Sequence, residues 1–152
     1  MKAKERPPES GSAGLVDPMA DRLGYQLRRV SVLMMADLGT RLAPLGMRPA
    51  DVGTLLLIGA NPGCRQGEVG DALGIKRANM VPLIADLVKK GFVVRARADG
   101  RSHALSLTPQ GRARNVALNK LLERHEAALL SRLDQKSRQA LLAALTTLRG
   151  PA

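Results

Sequence analysis

Aromatic residues are almost absent from this chain. Tyr25 and Phe92 are the only two in 152 residues, and there is no Trp. A core must then be built from Leu, Val, Ile, Ala and Met, which favours packed helices over an aromatic-rich β-sandwich. The same scarcity removes base stacking as a way to hold single-stranded nucleic acid. Cysteine is rarer still. Cys64 alone can form neither an internal disulfide nor a cysteine-rich zinc site. His103 and His125 do not make a metal-ligand cluster. No apolar run is long enough to cross a bilayer. The opening MKAKERPPESGSAG carries charge without an apolar core, so it is no signal peptide. A bacterial-type cytoplasm is the default expectation. A Gly-rich phosphate loop, and a nucleophile beside a base in any recognisable motif, are missing too. No catalytic residue, metal or cofactor is therefore expected, and the chain does not read as an enzyme.

Acidic residues are also scarce, 13 against 24 Lys and Arg, for a net charge of +11. The excess is concentrated. Residues 65–114 hold ten Lys or Arg against four acids in a third of the chain. Such a run is either a solvated surface or a polyanion site, where each cation near a phosphate releases counterions. Its coincidence with a docking motif points to the second.

The length suits one compact subunit. Residues 1–15, rich in Lys, Glu, Pro, Ser and Gly, read as a disordered tail. From 17 to about 43 the pattern is helical, with Leu23, Leu27, Val30, Met34 and Leu38 on one stripe and Leu33, Met35 and Leu42 widening it. Asp17 before Pro18 reads as its N-cap. So greasy a helix calls for a second subunit to cover it. Arg48-Pro49-Ala50-Asp51 opens a short helix, which Asn61-Pro62-Gly63 ends. Helices are predicted over 66–73 and 77–90, broken by Gly74 and ended by Gly91. Strands follow over 92–97 and 103–107 with Asp99-Gly100 between them, a strong hairpin signal. Thr108-Pro109 and Asp134 start the last two helices, with Leu118, Leu121, Leu122, Leu129 and Leu133 and then Leu141, Leu142, Leu145 and Leu148 apolar.

The stretch 66–107 carries the chemistry. Two helices that cross closely need a small residue midway along the first, a Gly in the turn, and apolar residues at set spacings. Gly70, Gly74, and Val69, Leu73, Ile75, Met80 and Leu83 meet those needs. An ordinary αα-hairpin would meet many of them; the basic hairpin that follows favours a helix-turn-helix. Its second helix enters the major groove by its N-terminal part, which presents Lys76, Arg77 and Asn79. Arg can bind guanine O6 and N7, Asn can bind adenine N6 and N7, and Lys76 can hold a phosphate instead. Sequence does not say which of the three reads bases. Pro82 is awkward, since an interior Pro costs about 3 kcal/mol. Either the helix starts later, near Ala78 or Asn79, or it is kinked. The hairpin carries Arg95, Arg97, Arg101 and His103. Its tip, Ala98-Asp99-Gly100-Arg101, is narrow enough for the minor groove, which attracts Arg, and Asp99 can hold the Arg101 guanidinium in one rotamer. Arg65, Lys89 and Lys90 are phosphate candidates.

With these residues in view the chain resembles the multiple-antibiotic-resistance regulator (MarR) family of bacterial winged helix-turn-helix repressors. The matching blocks are Arg48-Pro49-Ala50-Asp51, Gly67-Glu68-Val69-Gly70-Asp71-Ala72-Leu73, Leu87-Val88-Lys89-Lys90-Gly91-Phe92-Val93-Val94-Arg95, Asp99-Gly100-Arg101 and Leu105-Ser106-Leu107-Thr108-Pro109-Gln110-Gly111. The last two are the most specific, and the likeness covers about residues 17–149. It implies a mainly α fold with a small β-hairpin wing: a winged helix-turn-helix over about 47–108, flanked by long dimerisation helices over about 17–43 and 109–149. It implies a homodimer on a pseudo-palindromic double-stranded DNA operator, with a wing-tip Arg in the minor groove supported by an Asp two residues earlier, the positions of Arg101 and Asp99. It also implies release by a small-molecule effector, an aromatic or phenolic acid or a coenzyme A thioester, held between the dimer helices and the winged domain. The pocket residues are unknown. Arg28, Arg29 and Arg48 can pair with such an anion, and none is assigned. Three departures stand out. Lys76 lies where the family often caps its recognition helix with Ser or Thr. Pro82 departs from the usual pattern within that helix. The peroxide-sensing branch carries a Cys in its first helix, whereas Cys64 lies before the helix-turn-helix, beside Arg65, where its pKa can be lowered; more often a lone Cys of this kind is a small inert hydrophobe. A redox-sensing regulator and a non-specific DNA-compacting protein are the alternatives.

Overall fold

The computed structural model describes residues 15–99 and 102–150, and at 97–99 and 102 the backbone only. The expected tail lies, but for Leu15, outside the described residues. The elements in order are α1 (Leu23–Leu42), a 3-10 turn (Ala43–Leu45), α2 (Pro49–Ala60), β1 (Cys64–Arg65), α3 (Gln66–Leu73), α4 (Arg77–Lys89), β2 (Val93–Asp99), β3 (Ser102–Leu107), α5 (Pro109–Leu130) and α6 (Gln135–Arg149). The chain divides into two compact units, Met1–Leu33 and Met34–Ala152.

In the first unit, the helix expected to start at Asp17 starts at Leu23. Asp17 serves a β-turn instead. Its carbonyl accepts from Ala20 N–H at 3.3 Å and its carboxylate from Met19 N–H at 2.9 Å. Asp at the first position and Pro at the second suit that turn as well as they suit a helix start. Leu23, Val30, Val32 and Leu33 are all exposed.

The second unit is organised round α2. Its sequence PADVGTLLLIGA is apolar on nearly every side, as befits a central helix. Val52, Leu55 and Ile58 are buried, and the helix packs against α3, α5 and β3. The sheet has the order β1-β3-β2, all antiparallel, with Cys64 opposite Leu105, Val93 opposite Leu107, and a register shift between Arg97 and Asp99. The hairpin was expected; β1 was not. Two residues are too few to leave an alternating pattern, and β1 exists because β3 offers it a free edge.

The predicted helix pair is present with its bounds at 66–73 and 77–89. The turn between them is a Schellman motif. Gly74 sits at φ 63°, its N–H donating to the Asp71 carbonyl, and Ile75 N–H donates to the Gly70 carbonyl at 2.8 Å. Gly70 is required by packing. A Cβ there would lie 3.0 Å from Met80 Cγ and 3.1 Å from the Ile75 carbonyl oxygen. Gly91 repeats the device after α4, with Gly91 N–H to the Val88 carbonyl and Phe92 N–H to the Leu87 carbonyl. The later helix start suggested by Pro82 is not found, since α4 begins at Arg77 and Pro82 falls in its second turn. The carbonyl deprived of its donor belongs to Ala78. Both residues are exposed, so water can take the missing bond. Thr108 and Asp134 cap α5 and α6 as expected, accepting from Gly111 N–H at 2.9 Å and Ser137 N–H at 2.7 Å.

Candidate nucleic-acid interface

One face of α4 is apolar: Met80, Leu83, Ile84 and Leu87 are buried in the core at helical spacing. That seating leaves Arg77, Ala78, Asn79 and Val81 exposed. Lys76 is the N-cap, extended at ψ 143°, and its carbonyl accepts from Asn79 and Met80 N–H. The cap uses its backbone only, so the side chain stays outward. The first turn of α4 thus offers water three polar side chains and the positive end of the helix.

Between α3, α4 and the hairpin runs an open groove of about 710 Å³. Arg65, Gln66, Arg77, Val81, Arg95 and His103 line it, together with Glu68 and Asp71. Three arginines from three elements therefore converge there. Glu68 is partly engaged, accepting from the Arg65 backbone N–H at 2.6 Å. Gln66 and His103 were not singled out as site residues. The signal for His103 was available: it shares a strand face with Leu105 at period two, and the register sets Leu105 opposite Arg95. The wing residues Arg97 and Asp99 have their backbone in β2. Arg101 lies outside the described residues, as do the side chains of Arg97 and Asp99.

Lys89 and Lys90 are not part of this groove. They stand at the other end of α4, about 18 Å from Arg77 at 1.5 Å per residue. Lys89 is exposed. The Lys90 ammonium donates to the Asp86 carboxylate at 2.7 Å and to the Gly46 carbonyl at 2.9 Å. The hydrogen bond from Lys90, with added attraction from Lys90, Arg48 and Lys89, holds the Asp86 carboxyl below its usual range.

Of the cations considered for an effector, Arg48 is committed. Its backbone N–H and guanidinium both donate to the fully buried Asp51, at 2.7 Å and 3.0 Å, and this bond raises its pKa. Arg29 lies 3.8 Å from Asp17 and stacks over Tyr25. Arg28 is exposed. His125, which sequence left unpartnered, is buried, with Nδ1 2.8 Å from Asp37 Oδ2. Asp37 also accepts from Arg41 Nε at 2.7 Å, and the bonds from Arg41 and then His125 lower its pKa.

At Cys64 the lowered thiol pKa that Arg65 could bring about is not found: the pKa is raised, first by burial and then by the negative charge of Glu68, as suits a small inert side chain. The side chain is half-buried against a cleft of about 350 Å³ lined by Leu57, Asn61, Glu68, Val69 and Ala72. The thiolate, the reactive form, is thus disfavoured at neutral pH. Alkylation by iodoacetamide, followed by mass spectrometry across pH, should reach half its maximal rate at a higher pH than free cysteine does. A midpoint below that of free cysteine would restore the redox reading.

Two helices locked by a left-handed glycine turn, followed at once by a basic hairpin, define a winged helix-turn-helix protein. Residues 45–102 match the model of the MarR family. Over 97% of its length the chain is 28% identical to a putative transcriptional regulatory protein for the hcr operon of Thauera aromatica, covering 91% of that protein. It is 38% identical to the transcriptional repressor CouR, in a solved structure bound to a 23-mer DNA duplex, with a TM-score of 0.85 over 91% of this chain and all of that one. CouR bound to p-coumaroyl-CoA matches at 37% identity and a TM-score of 0.78, over 88% of this chain and 96% of that one. The chain belongs to the MarR family of transcriptional regulators.

Proposed function

We propose that this chain is a homodimeric repressor that binds a pseudo-palindromic double-stranded operator and leaves it on binding a small effector, an aromatic or phenolic acid or its coenzyme A thioester. The observation that carries this reading is the convergence of Arg65, Arg77 and Arg95 on one open groove beside the exposed first turn of α4. That turn enters the major groove, where Arg77 and Asn79 face base edges and Lys76 a phosphate. Arg65 and Lys89 hold phosphates on either side. The wing lays Arg95, Arg97 and Arg101 along the backbone and minor groove, with Asp99 orienting Arg101. Dimerisation is supported by apolar side chains left in water: Leu33 is 65% exposed on α1, and Leu142 and Leu148 are 68% and 65% exposed on α6. The effector class is supported by the likeness to CouR with p-coumaroyl-CoA. Release requires that the effector favour a dimer geometry whose recognition helices do not match the half-site spacing.

The test is an electrophoretic shift and footprint on the DNA upstream of the protein's own gene, with sedimentation of the free protein. Expected are a dimer, a protected palindrome, and release by an aromatic acid or its coenzyme A thioester. Uniform protection of any sequence would support a compacting protein instead. In the same assay, Arg101→Ala and Asp99→Ala should both weaken operator binding, Arg101→Ala more. If neither changed the titration midpoint, the wing assignment would be wrong.

A further inference from the structure

Lys90 follows the last residue of α4 and is its C-cap. One of its two partners, Asp86, is a turn back on the same helix. The other, the Gly46 carbonyl, is 44 residues away in sequence. Gly46 occupies a left-handed conformation at φ 61°, closing the 3-10 turn that continues from α1. On either side of it, Leu42 and Met47 are buried in the core. The loop is therefore anchored at both ends by apolar contacts and in the middle by one lysine. This side chain is only 32% exposed, and two acceptors already claim it.

We propose that Lys90 is a positioning residue: it ties the far end of α4 to the loop ahead of α2 and thereby sets the angle at which the first turn of α4 meets DNA. The proposal rests on the DNA-binding reading above. The helix is 13 residues, about 20 Å, long. Four buried residues, Met80, Leu83, Ile84 and Leu87, seat it on the core. A helix so seated shifts on the core as one rigid body, so a displacement at the Lys90 end is carried to the Arg77 end. In a dimer, such a shift alters the distance between two recognition helices, so the consequence is a changed preference for half-site spacing.

The experiment compares Lys90→Met, Asp86→Asn and Lys89→Met on the operator, on operators with the half-sites moved one base pair closer or further apart, and on random DNA, over a range of salt. Lys90→Met should lose about tenfold or more on the native spacing, shift the preferred spacing, and leave the slope of log affinity against log salt unchanged. Lys89→Met should lose equally on all DNA, with the slope falling by about 0.9 for each phosphate contact removed. Asp86→Asn leaves both the Lys90 charge and its bond to the Gly46 carbonyl in place, so the preferred spacing should hold and affinity should change little. A phosphate-binding Lys90 would be freed by it, and affinity would rise on operator and random DNA alike. That rise, or a reduced salt slope for Lys90→Met, or no spacing change in Lys90→Met, overturns the proposal. If Lys90→Met does not fold, Lys90→Ala, which also removes the bond to Gly46, takes its place. A wild type that binds operator and random DNA alike overturns the DNA reading and this proposal with it.

Discussion

Gly111→Ala should cost about 3 kcal/mol of folding stability, the upper end of the usual overpacking penalty. A Cβ on Gly111 would collide with the Phe92 carbonyl, with the Phe92 carbonyl carbon and Cα also in close contact. Overpacked side chains can rotate away; this obstacle is backbone. Nor can Phe92 move freely. Its carbonyl accepts from Thr108 N–H at 3.0 Å, and Thr108 Oγ1 donates to the Gly91 carbonyl at 2.6 Å while accepting from Gly111 N–H. Three elements meet here: the end of α4, the start of β2 and the first turn of α5. Against a total stability of about 5–15 kcal/mol, the loss should be plain in urea unfolding. Gly67→Ala is the control, since a Cβ there meets nothing within 4 Å; helix propensity should leave it neutral or slightly more stable. Equal midpoints for the two variants would refute the close-approach argument.

The Gly111 contact shows where sequence reasoning stops. Thr108-Pro109 announces a helix start through local chemistry alone, and the structure has it. Gly74 and Gly91 announce turns in the same way, because a left-handed backbone next to a helical pattern is a local property. What Gly111 touches is 19 residues back and leaves no pattern of its own. The same holds for His125 and Asp37, 88 residues apart, and for Lys90 and Gly46. Asp17 failed for a different reason: Asp-Pro satisfies two local motifs, and only the chain after it decides which forms. The groove lay between these extremes. Its arginines were visible as a charge cluster, but that Arg65, Arg77 and Arg95 share one groove while Lys89 and Lys90 stand at the opposite end of α4 depends on how α3, α4 and the hairpin pack.

Arg77→Ala should have the largest effect on operator binding. A bidentate Arg–guanine pair is worth about 1–3 kcal/mol of discrimination. A dimer loses two such pairs, so about 2–6 kcal/mol, or at least about 30-fold. Among Lys76, Arg77 and Asn79, the geometry favours Arg77. It alone of the three lines the groove shared with Arg95 and His103, so the hairpin constrains where its guanidinium can go. Lys76 projects from a cap residue outside that lining, and its ammonium lacks the fork that bidentate reading needs. The loss on random DNA should be much smaller, since only charge is removed there. Preference should flatten at one base pair in each half-site. Lys76→Ala should instead weaken operator and random DNA together and reduce the salt slope. If Arg77→Ala behaved like Lys76→Ala in shift titrations over both DNAs, Arg77 would be a phosphate ligand. Base reading would then pass to Asn79, and operators differing at an adenine would be the ones that distinguish Asn79→Ala from wild type.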